Sequence, residues 1–109
     1  HYYAALAQGA DGAILASAHV ETEGFARVLG AIRAGNQAAA LAAWQDVCDL
    51  PPLLIAEPSP APIKHWLWRN GLIASPEVRL PMTPVSKELG ARIEREIRRR
   101  EALRRPAVA

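Results

Sequence analysis

Apolar residues recur every three to four positions in several stretches of this 109-residue chain, and this spacing predicts α-helices. The clearest stretch is 21–34, in which Phe25, Val28, Leu29 and Ile32 form one apolar stripe. Further helices are predicted over 2–8, about 37–50, about 62–70, and from Ser86 to about residue 103. Their inward residues are predicted to be Leu41, Trp44 and Cys48 in the second, Ile63, Trp66 and Leu67 in the third, and Leu89, Ile93 and Ile97 in the last.

Glycine, proline and capping residues mark where these helices begin and end. Gly9 and Gly35 follow helical stretches, as glycine commonly does at a helix C-terminus. Asn36 and Ser86 each precede a helical stretch and can accept a hydrogen bond from its first-turn amides. The prolines of 51–52 lack an N–H group and must kink or end the helix before them.

One segment does not follow the helical spacing. Residues Gly12 to Ala18 form a short, continuous apolar run, which is typical of a strand buried on both faces of a parallel sheet. A single strand cannot form a sheet, because its backbone groups need neighbouring strands. The only methionine is Met82, so His1 is not a translation start. We therefore expect the partner strands to belong to a longer protein of which this chain is a part.

Composition restricts the class of protein. The chain is 50% hydrophobic and 22% charged, as globular proteins are, and it has no uninterrupted apolar run near the ~20 residues of a membrane span. We therefore expect no membrane segment. A single cysteine, Cys48, cannot form an intrachain disulfide, which favours a reducing compartment and predicts a cytoplasmic protein.

The net charge of +2 comes from the carboxyl-terminal end, where residues 92–109 hold seven arginines and three glutamates. Glutamate precedes arginine by four residues in three pairs, and each pair stabilises a helix by about 0.2–0.5 kcal/mol. The pairs are Glu94–Arg98, Glu96–Arg100 and Glu101–Arg105. This pattern favours a solvated helix face over a nucleic-acid surface, and no nucleic-acid partner is expected.

Three segments resemble, in order, the carboxyl-terminal part of the dihydrodipicolinate synthase and N-acetylneuraminate lyase family. They are GADGAILASAHV (9–20), EPSPAPIKHWLWRNGL (57–72) and VRLPMTPVS (78–86). The first is similar to the family's final barrel strand, the second to its E-x-x-P-x-P-x-K segment, and the third to its R-L-P turn. His19 and Ser59 stand where the family commonly has asparagine, so another 2-keto-acid aldolase of the family fits as well.

The resemblance implies an α/β TIM barrel as the parent protein, followed by a helical domain. Such a barrel needs about 250 residues, so this chain would be a mainly α carboxyl-terminal fragment. Residues 1–35 would be the end of the barrel (a helix tail, the last strand and the last barrel helix), and 36–109 the helical domain. The family binds pyruvate or another 2-keto acid as a Schiff base on a lysine, without a cofactor, and the parent is expected to be a homo-oligomer.

The same resemblance assigns few functional residues to this chain. Ile14 would border the bound pyruvate with its main chain, and it would also pack in the barrel core. Ser17, Ala18 and His19 would lie near the pocket mouth, because barrel active sites collect at the carboxyl ends of the strands. For His19 a hydrogen bond to backbone is favoured over a chemical role.

The chain offers two lysines as candidate nucleophiles, and neither suits the role. A Schiff-base lysine must be partly desolvated. Lys87 follows a helix cap and is expected in water, while Lys64 matches a structural position of the family and is expected in an ion pair. The nucleophile is therefore expected outside this chain, and the chain alone is predicted to be catalytically inactive.

The remaining candidates favour structural roles. Trp66 shares a helix face with Ile63 and Leu67 and is expected in the core, whereas Trp68 points elsewhere and would cover the barrel or a subunit contact. The three histidines and the one cysteine show no metal-ligand spacing, so no metal site is expected.

Two other function classes stay open on sequence grounds. One is a stand-alone helical module that associates through an exposed surface without catalysis. The other is a basic nucleic-acid binder, which the arginine-rich end (Arg98, Arg99, Arg100) would carry.

The chain on its own is predicted to self-associate, because the apolar faces of the 12–18 segment and of helix 21–34 would lack their barrel partners. Sedimentation of the isolated chain should show species larger than one chain. A single monodisperse species of 11.8 kDa would contradict this prediction.

Overall fold

A computed structural model describes residues 1–104 of the chain, and every regular element in that range is helical. The α-helices are α1 (Tyr2–Ala7), α2 (Thr22–Arg33), α3 (Gln37–Val47), α4 (Leu50–Leu54), α5 (Ala61–Arg69) and α6 (Lys87–Arg104). A short 3-10 helix (Ala16–His19) lies between α1 and α2. The mainly helical composition predicted for this chain is confirmed.

The chain divides into two compact units, the first comprising His1–Pro52 and the second beginning at Leu53. In the first unit α2 packs on α3, and α1 packs on both. Phe25 and Val28 of α2 are buried, as are Ala40 and Val47 of α3. Phe25 and Val28 of the stripe predicted for α2 therefore lie in the core of this unit, while Leu29 and Ile32 are half-buried.

Aromatic side chains hold α1 in the first unit. The Tyr2 hydroxyl donates a hydrogen bond to the Phe25 carbonyl oxygen at 2.8 Å, and the two rings meet edge to face with centroids 5.4 Å apart. Partial burial raises the pKa of Tyr2. Tyr3 stacks on Trp44 of α3, with ring centroids 6.4 Å apart. Aromatic pairs in these geometries contribute beyond their buried area.

Most of the predicted helix ends are confirmed. Gly9, Gly35 and Gly71 have positive φ angles of 102°, 68° and 71°, a conformation that glycine adopts without steric cost. The Asn36 side chain accepts a hydrogen bond from the Ala39 amide at 3.0 Å, as a helix cap does. After α3, the prolines of 51–52 lie in the separate short helix α4, so the break expected there is present.

The predicted strand over Gly12 to Ala18 is not present as a strand within residues 1–104. Its second half is wrong outright, because Ala16–His19 is a 3-10 helix. The part before it is extended, with Leu15 at φ −127° and ψ 118°, and no neighbouring strand pairs with it. A β-ladder needs two strands, so an unpaired extended segment cannot be one.

The predicted inward face of α3 is also partly wrong. Leu41 is 44% exposed, and Trp44 and Cys48 are half-buried, while Ala40 and Val47 take the buried positions. Val47 is where α3 comes close to α2, at Gly24. An alanine-rich helix has no strongly apolar stripe, so its packed face is decided by its neighbours.

The second unit is built on α5 and α6, which pack against each other. Ile63 and Trp66 of α5 are buried, and so are Leu89, Ile93 and Ile97 of α6, as predicted. Leu67 is half-buried. Between the two helices the chain is irregular, and the Leu80–Pro81 peptide bond in this stretch is cis, as is Ser59–Pro60 before α5. The boundary at residue 35 between a barrel portion and a helical domain concerns the parent protein and stays a prediction.

We predict that Gly24→Ala destabilises the chain, because α2 and α3 touch at this glycine. A Cβ at position 24 would lie 2.6 Å from Cγ1 of Val47, a buried and β-branched side chain that has little freedom to move. Such overpacking costs about 1–3 kcal/mol of unfolding free energy. Urea denaturation followed by circular dichroism measures it.

Gly30→Ala in the same helix is the matched control. A Cβ at position 30 would meet no atom within 4 Å, so this substitution should stabilise the chain by about 0.5–1 kcal/mol. Equal effects of the two substitutions would contradict the close packing of α2 on α3.

Candidate functional site

Ile14, the one residue expected at a substrate, lies in the extended segment of the first unit with a fully exposed side chain (105%). Among residues 1–104, no backbone–backbone hydrogen bond outside the helices involves residues 12–14. Nearby, the Arg33 guanidinium donates a hydrogen bond to the Asp11 carbonyl oxygen at 2.9 Å. Both the side chain and the main chain around Ile14 are therefore accessible.

The three residues expected at a pocket mouth lie in the 3-10 helix. Ser17 is buried, Ala18 is half-buried, and His19 is exposed. Nδ1 of His19 lies 2.9 Å from the Ala16 carbonyl oxygen, which confirms the expected backbone hydrogen bond. The Thr22 hydroxyl donates to the Ala18 carbonyl oxygen at 2.6 Å. These bonds join the extended segment to the start of α2 and orient the residues that follow Ile14.

Neither lysine is placed as a nucleophile in the second unit. The Lys64 ammonium donates a hydrogen bond to the backbone carbonyl oxygen of Glu77, rather than to the carboxylate that the expected ion pair requires. Lys87 is exposed, as predicted. An amine that is hydrogen-bonded or fully hydrated at neutral pH is a poor Schiff-base former.

A cleft of about 500 Å³ lies between α5 and α6, within the second unit. Its apolar lining comes from Ala61, Trp68, Pro76, Pro84, Val85 and Gly90. Its polar lining comes from His65, Arg69, Ser86, Lys87 and Glu94. Mostly apolar walls with a few convergent polar groups are typical of a small-molecule site.

A bidentate ion pair holds one side of this cleft. The Arg69 guanidinium donates hydrogen bonds to both carboxylate oxygens of Glu94. Nε donates to Oε1, and Nη2 donates to Oε2 at 3.0 Å. These bonds raise the pKa of Arg69 and lower the pKa of Glu94. The guanidinium carbon also lies 5.5 Å from the Trp68 ring centroid, in a cation–π arrangement. Arg69 thereby holds both Glu94 and the indole of Trp68.

His65 lies beside this pair. Its Nε2 is buried, lies 4.0 Å from Oε1 of Glu94, and has no hydrogen-bond partner within residues 1–104. Burial lowers the pKa of His65, against the smaller opposite effect of the Glu94 charge. The distance of 4.0 Å is therefore a contact of a neutral imidazole at pH 7 rather than an ion pair.

A second carboxylate organises the start of α6. Oγ of Ser86 accepts a hydrogen bond from the Leu89 amide at 3.1 Å, which confirms the predicted helix cap. The same hydroxyl donates to Oε1 of Glu57, and the Ser86 amide donates to Oε2 of Glu57 at 3.0 Å. The hydroxyl bond, followed by the amide bond, lowers the pKa of Glu57. Glu57 thus joins the proline-rich loop to α6.

The arginine-rich face of α6 differs in part from its prediction. Glu96 bonds Arg100 at 2.7 Å, as predicted, and also Arg99 at 2.7 Å. Glu94 takes Arg69 as its partner instead of Arg98, which acts only as a neighbouring charge. The predicted Glu101–Arg105 pair lies outside the described residues because Arg105 does.

Two carboxylate contacts of the second unit, Arg69 with Glu94 and Glu57 with Ser86, were not predicted from the sequence. Arg69 and Glu94 are 25 positions apart, and Glu57 and Ser86 are 29 apart, so no local spacing signals either pair. The family-like segments at 57–72 and 78–86 contain three of these four residues and were the available signal for Glu57 with Ser86.

Metal-binding clusters and membrane-spanning helices are both absent from the described part of the chain. No group of three or more histidine, cysteine, aspartate or glutamate residues is placed there to hold a metal ion. No helix within residues 1–104 combines the length and hydropathy that crossing a bilayer requires.

Comparison with known proteins gives one family over nearly the whole chain. The sequence model described as the dihydrodipicolinate synthetase family matches residues 1–100. A 4-hydroxy-tetrahydrodipicolinate synthase 2 of Clostridium acetobutylicum is 40% identical over 94 residues, which are 86% of this chain and 33% of that protein. The 4-hydroxy-tetrahydrodipicolinate synthase of Phenylobacterium zucineum is 40% identical over 89 residues (81% and 30%). That of Leptothrix cholodnii is 36% identical over 90 residues (83% and 30%). The chain spans about a third of the length of the curated relatives it matches.

We predict that Ser86→Ala destabilises the chain in a pH-dependent way. Loss of the cap costs about 1 kcal/mol at neutral pH. The folded-state pKa of Glu57 is lowered, so the stabilisation from its contact with Ser86 is complete above the ordinary carboxyl pKa and is lost as pH falls through the lowered value. The difference in unfolding free energy between the natural chain and Ser86→Ala should therefore shrink between pH 7 and pH values below ~4.

Ser75→Ala is the control for this measurement. Oγ of Ser75 accepts a hydrogen bond from the Glu77 amide, and no hydrogen bond joins it to a carboxylate within the described residues. Its effect should not change with pH. A Ser86→Ala difference that stays constant or grows toward acid pH would contradict the Glu57 contact.

Proposed function

Since this chain belongs to the dihydrodipicolinate synthetase family, we propose that the protein containing it is a Schiff-base lyase that acts on pyruvate or another 2-keto acid. The observation that carries the proposal is the match of the family over residues 1–100, together with relatives named 4-hydroxy-tetrahydrodipicolinate synthase. In this reaction class a lysine amine attacks the 2-keto carbon, water leaves, and the resulting imine withdraws electrons from the adjacent carbon. The imine itself is the electron sink, so the proposal needs no cofactor.

In this proposal residues 1–35 are the end of a (β/α)8 barrel, and Ile14 borders the bound 2-keto acid through its main chain. The unpaired backbone of residues 12–14, followed by Leu15 in an extended conformation, supports it, since a central strand needs hydrogen-bond partners on both sides. The complete exposure of Ile14 supports it too, because a barrel strand buries its side chains only when the other strands surround it.

The nucleophilic lysine belongs, in this proposal, to another part of the intact protein. Lys64 is engaged with the Glu77 carbonyl oxygen, and Lys87 is exposed at the start of α6. Lys64 is half-buried but engaged in that hydrogen bond, and Lys87 lacks the partial desolvation that a Schiff-base lysine needs. The isolated chain is therefore catalytically inactive.

We also propose a cellular compartment and an oligomeric state for the intact protein. The single Cys48 favours a reducing compartment, and we place the protein in the cytoplasm. We also propose a homo-oligomer, in which exposed apolar side chains such as Ile14 and Leu80 of the isolated chain become covered. No nucleic-acid partner is proposed, and Glu96 bonds two arginines of this end, Arg99 and Arg100.

Borohydride trapping with pyruvate tests the proposal on the intact protein. Hydride reduces the lysine imine to a stable secondary amine, so one pyruvate-derived adduct should appear by mass spectrometry. Peptide mapping should place the adduct outside the residues of this chain, and the isolated chain should gain no adduct. Lactate, which has no carbonyl at its second carbon, is the control and should give none.

A variant of the intact protein with Lys64→Arg and Lys87→Arg should still be labelled. An adduct on Lys64 would contradict the assignment of the nucleophile, and an intact protein that pyruvate and borohydride never label would contradict the lyase proposal.

A further inference from the structure

We propose that the cleft between α5 and α6 binds a small molecule made of a flat apolar ring and a single carboxylate. This inference concerns the second unit alone and does not depend on the lyase proposal. Three features support it: the volume of the cleft, its apolar lining around Trp68, and the Lys87 ammonium at its edge.

Two of the residues that line the cleft carry little or no side chain. They are Ala61, the first residue of α5, and Gly90 of α6. The space of about 500 Å³ lies within the usual size of small-molecule sites. A ligand of one or two rings fits this volume.

The apolar walls favour a flat ring. Trp68 remains 37% exposed, and prolines 76 and 84 and Val85 line the same space. The Trp68 indole has two neighbours. The guanidinium carbon of Arg69 lies 5.5 Å from the indole centroid, and the centroid of the His65 ring lies 5.6 Å from it. A wall that is already fixed in position costs little entropy when a ligand binds.

The polar groups favour one negative charge on the ligand. Arg69 and Glu94 neutralise each other through their two hydrogen bonds, and burial of His65 disfavours its charged form. The Glu57 carboxylate at the edge of the cleft is taken up by the hydroxyl and the amide of Ser86. Lys87 also lines the cleft, and within the described residues no ion pair joins it to a carboxylate. Its ammonium is therefore the lining cation that a carboxylate of the ligand can pair with.

Lys87 is a cationic hydrogen-bond donor of the lining, beside the Nε2 of His65 that is unpartnered within residues 1–104. The hydroxyl of Ser86 is already used, because it donates to Glu57 and accepts from the Leu89 amide. A carboxylate beside the Lys87 ammonium, with its ring against Trp68, satisfies both kinds of lining.

Titration of the whole chain with 2-naphthoate, followed through the three indole N–H signals in two-dimensional NMR, tests the proposal. The Trp68 signal should shift saturably, whereas those of Trp44 and of buried Trp66 (3% exposed) should not. A tryptophan-to-phenylalanine substitution at each position assigns the signals. An unmoved Trp68 signal, or shifts centred on Trp44 or Trp66, would overturn the proposal.

Two further ligands separate the ring from the charge. 2-Naphthylmethanol keeps the ring without the charge, and propionate keeps the charge without the ring, so each should bind at least about fivefold more weakly than 2-naphthoate. Equal binding of the neutral alcohol would identify a purely apolar cleft and overturn the assigned ligand class.

Lys87→Ala should weaken 2-naphthoate binding by about fivefold to tenfold, because the ion pair is partly exposed. Arg95→Ala is the matched control, since Arg95 is an exposed cation of the same helix that does not line the cleft. It should leave binding unchanged. Equal binding by both variants and the natural chain would show that the Lys87 charge does not select the ligand, and the proposal would fail.

Discussion

The backbone N–H and C=O groups of residues 12–14 have no backbone partner within residues 1–104, and this constraint governs the interpretation of the first unit. Extended backbone buried in a protein must find hydrogen bonds, and in a sheet they come from adjacent strands. The helices of the first unit cannot supply them, because a helix uses its own backbone groups internally. The unpaired segment and the coverage of about a third of the relatives' length are thus consistent with each other.

The second unit depends on two carboxylates that act across long sequence separations. Glu57 binds the hydroxyl and the amide of Ser86, so the loop before α5 and the start of α6 are joined at one point. Glu94 accepts two hydrogen bonds from the Arg69 guanidinium, so α5 and α6 are joined at a second point. Gly90 lies between these two contacts on α6 and lines the cleft without a side chain.

The prediction of helices from local patterns was accurate where caps and strong stripes agreed. Asn36 and Ser86 each accept the amide hydrogen bond that their positions predicted, and Val28 and Ile93 are fully buried in predicted stripes. The prediction failed for Leu41, because every residue of an alanine-rich helix is a possible contact and only the neighbour selects the face. It also failed over Ala16–His19, where a short apolar run is compatible with a strand or a tight turn of helix.

What the sequence by itself determined is local: the helices, their caps, the break at the two prolines after α3, and the order of family-like segments that named the family. These features depend on residues a few positions apart, which short patterns record. Tertiary structure alone decided that Glu94 pairs with Arg69 rather than Arg98, that Lys64 is held by a carbonyl oxygen, and that Trp68 and Lys87 face one cleft. Each of these contacts joins residues far apart in the chain, and the distance between them is set by helix packing, which no short pattern contains.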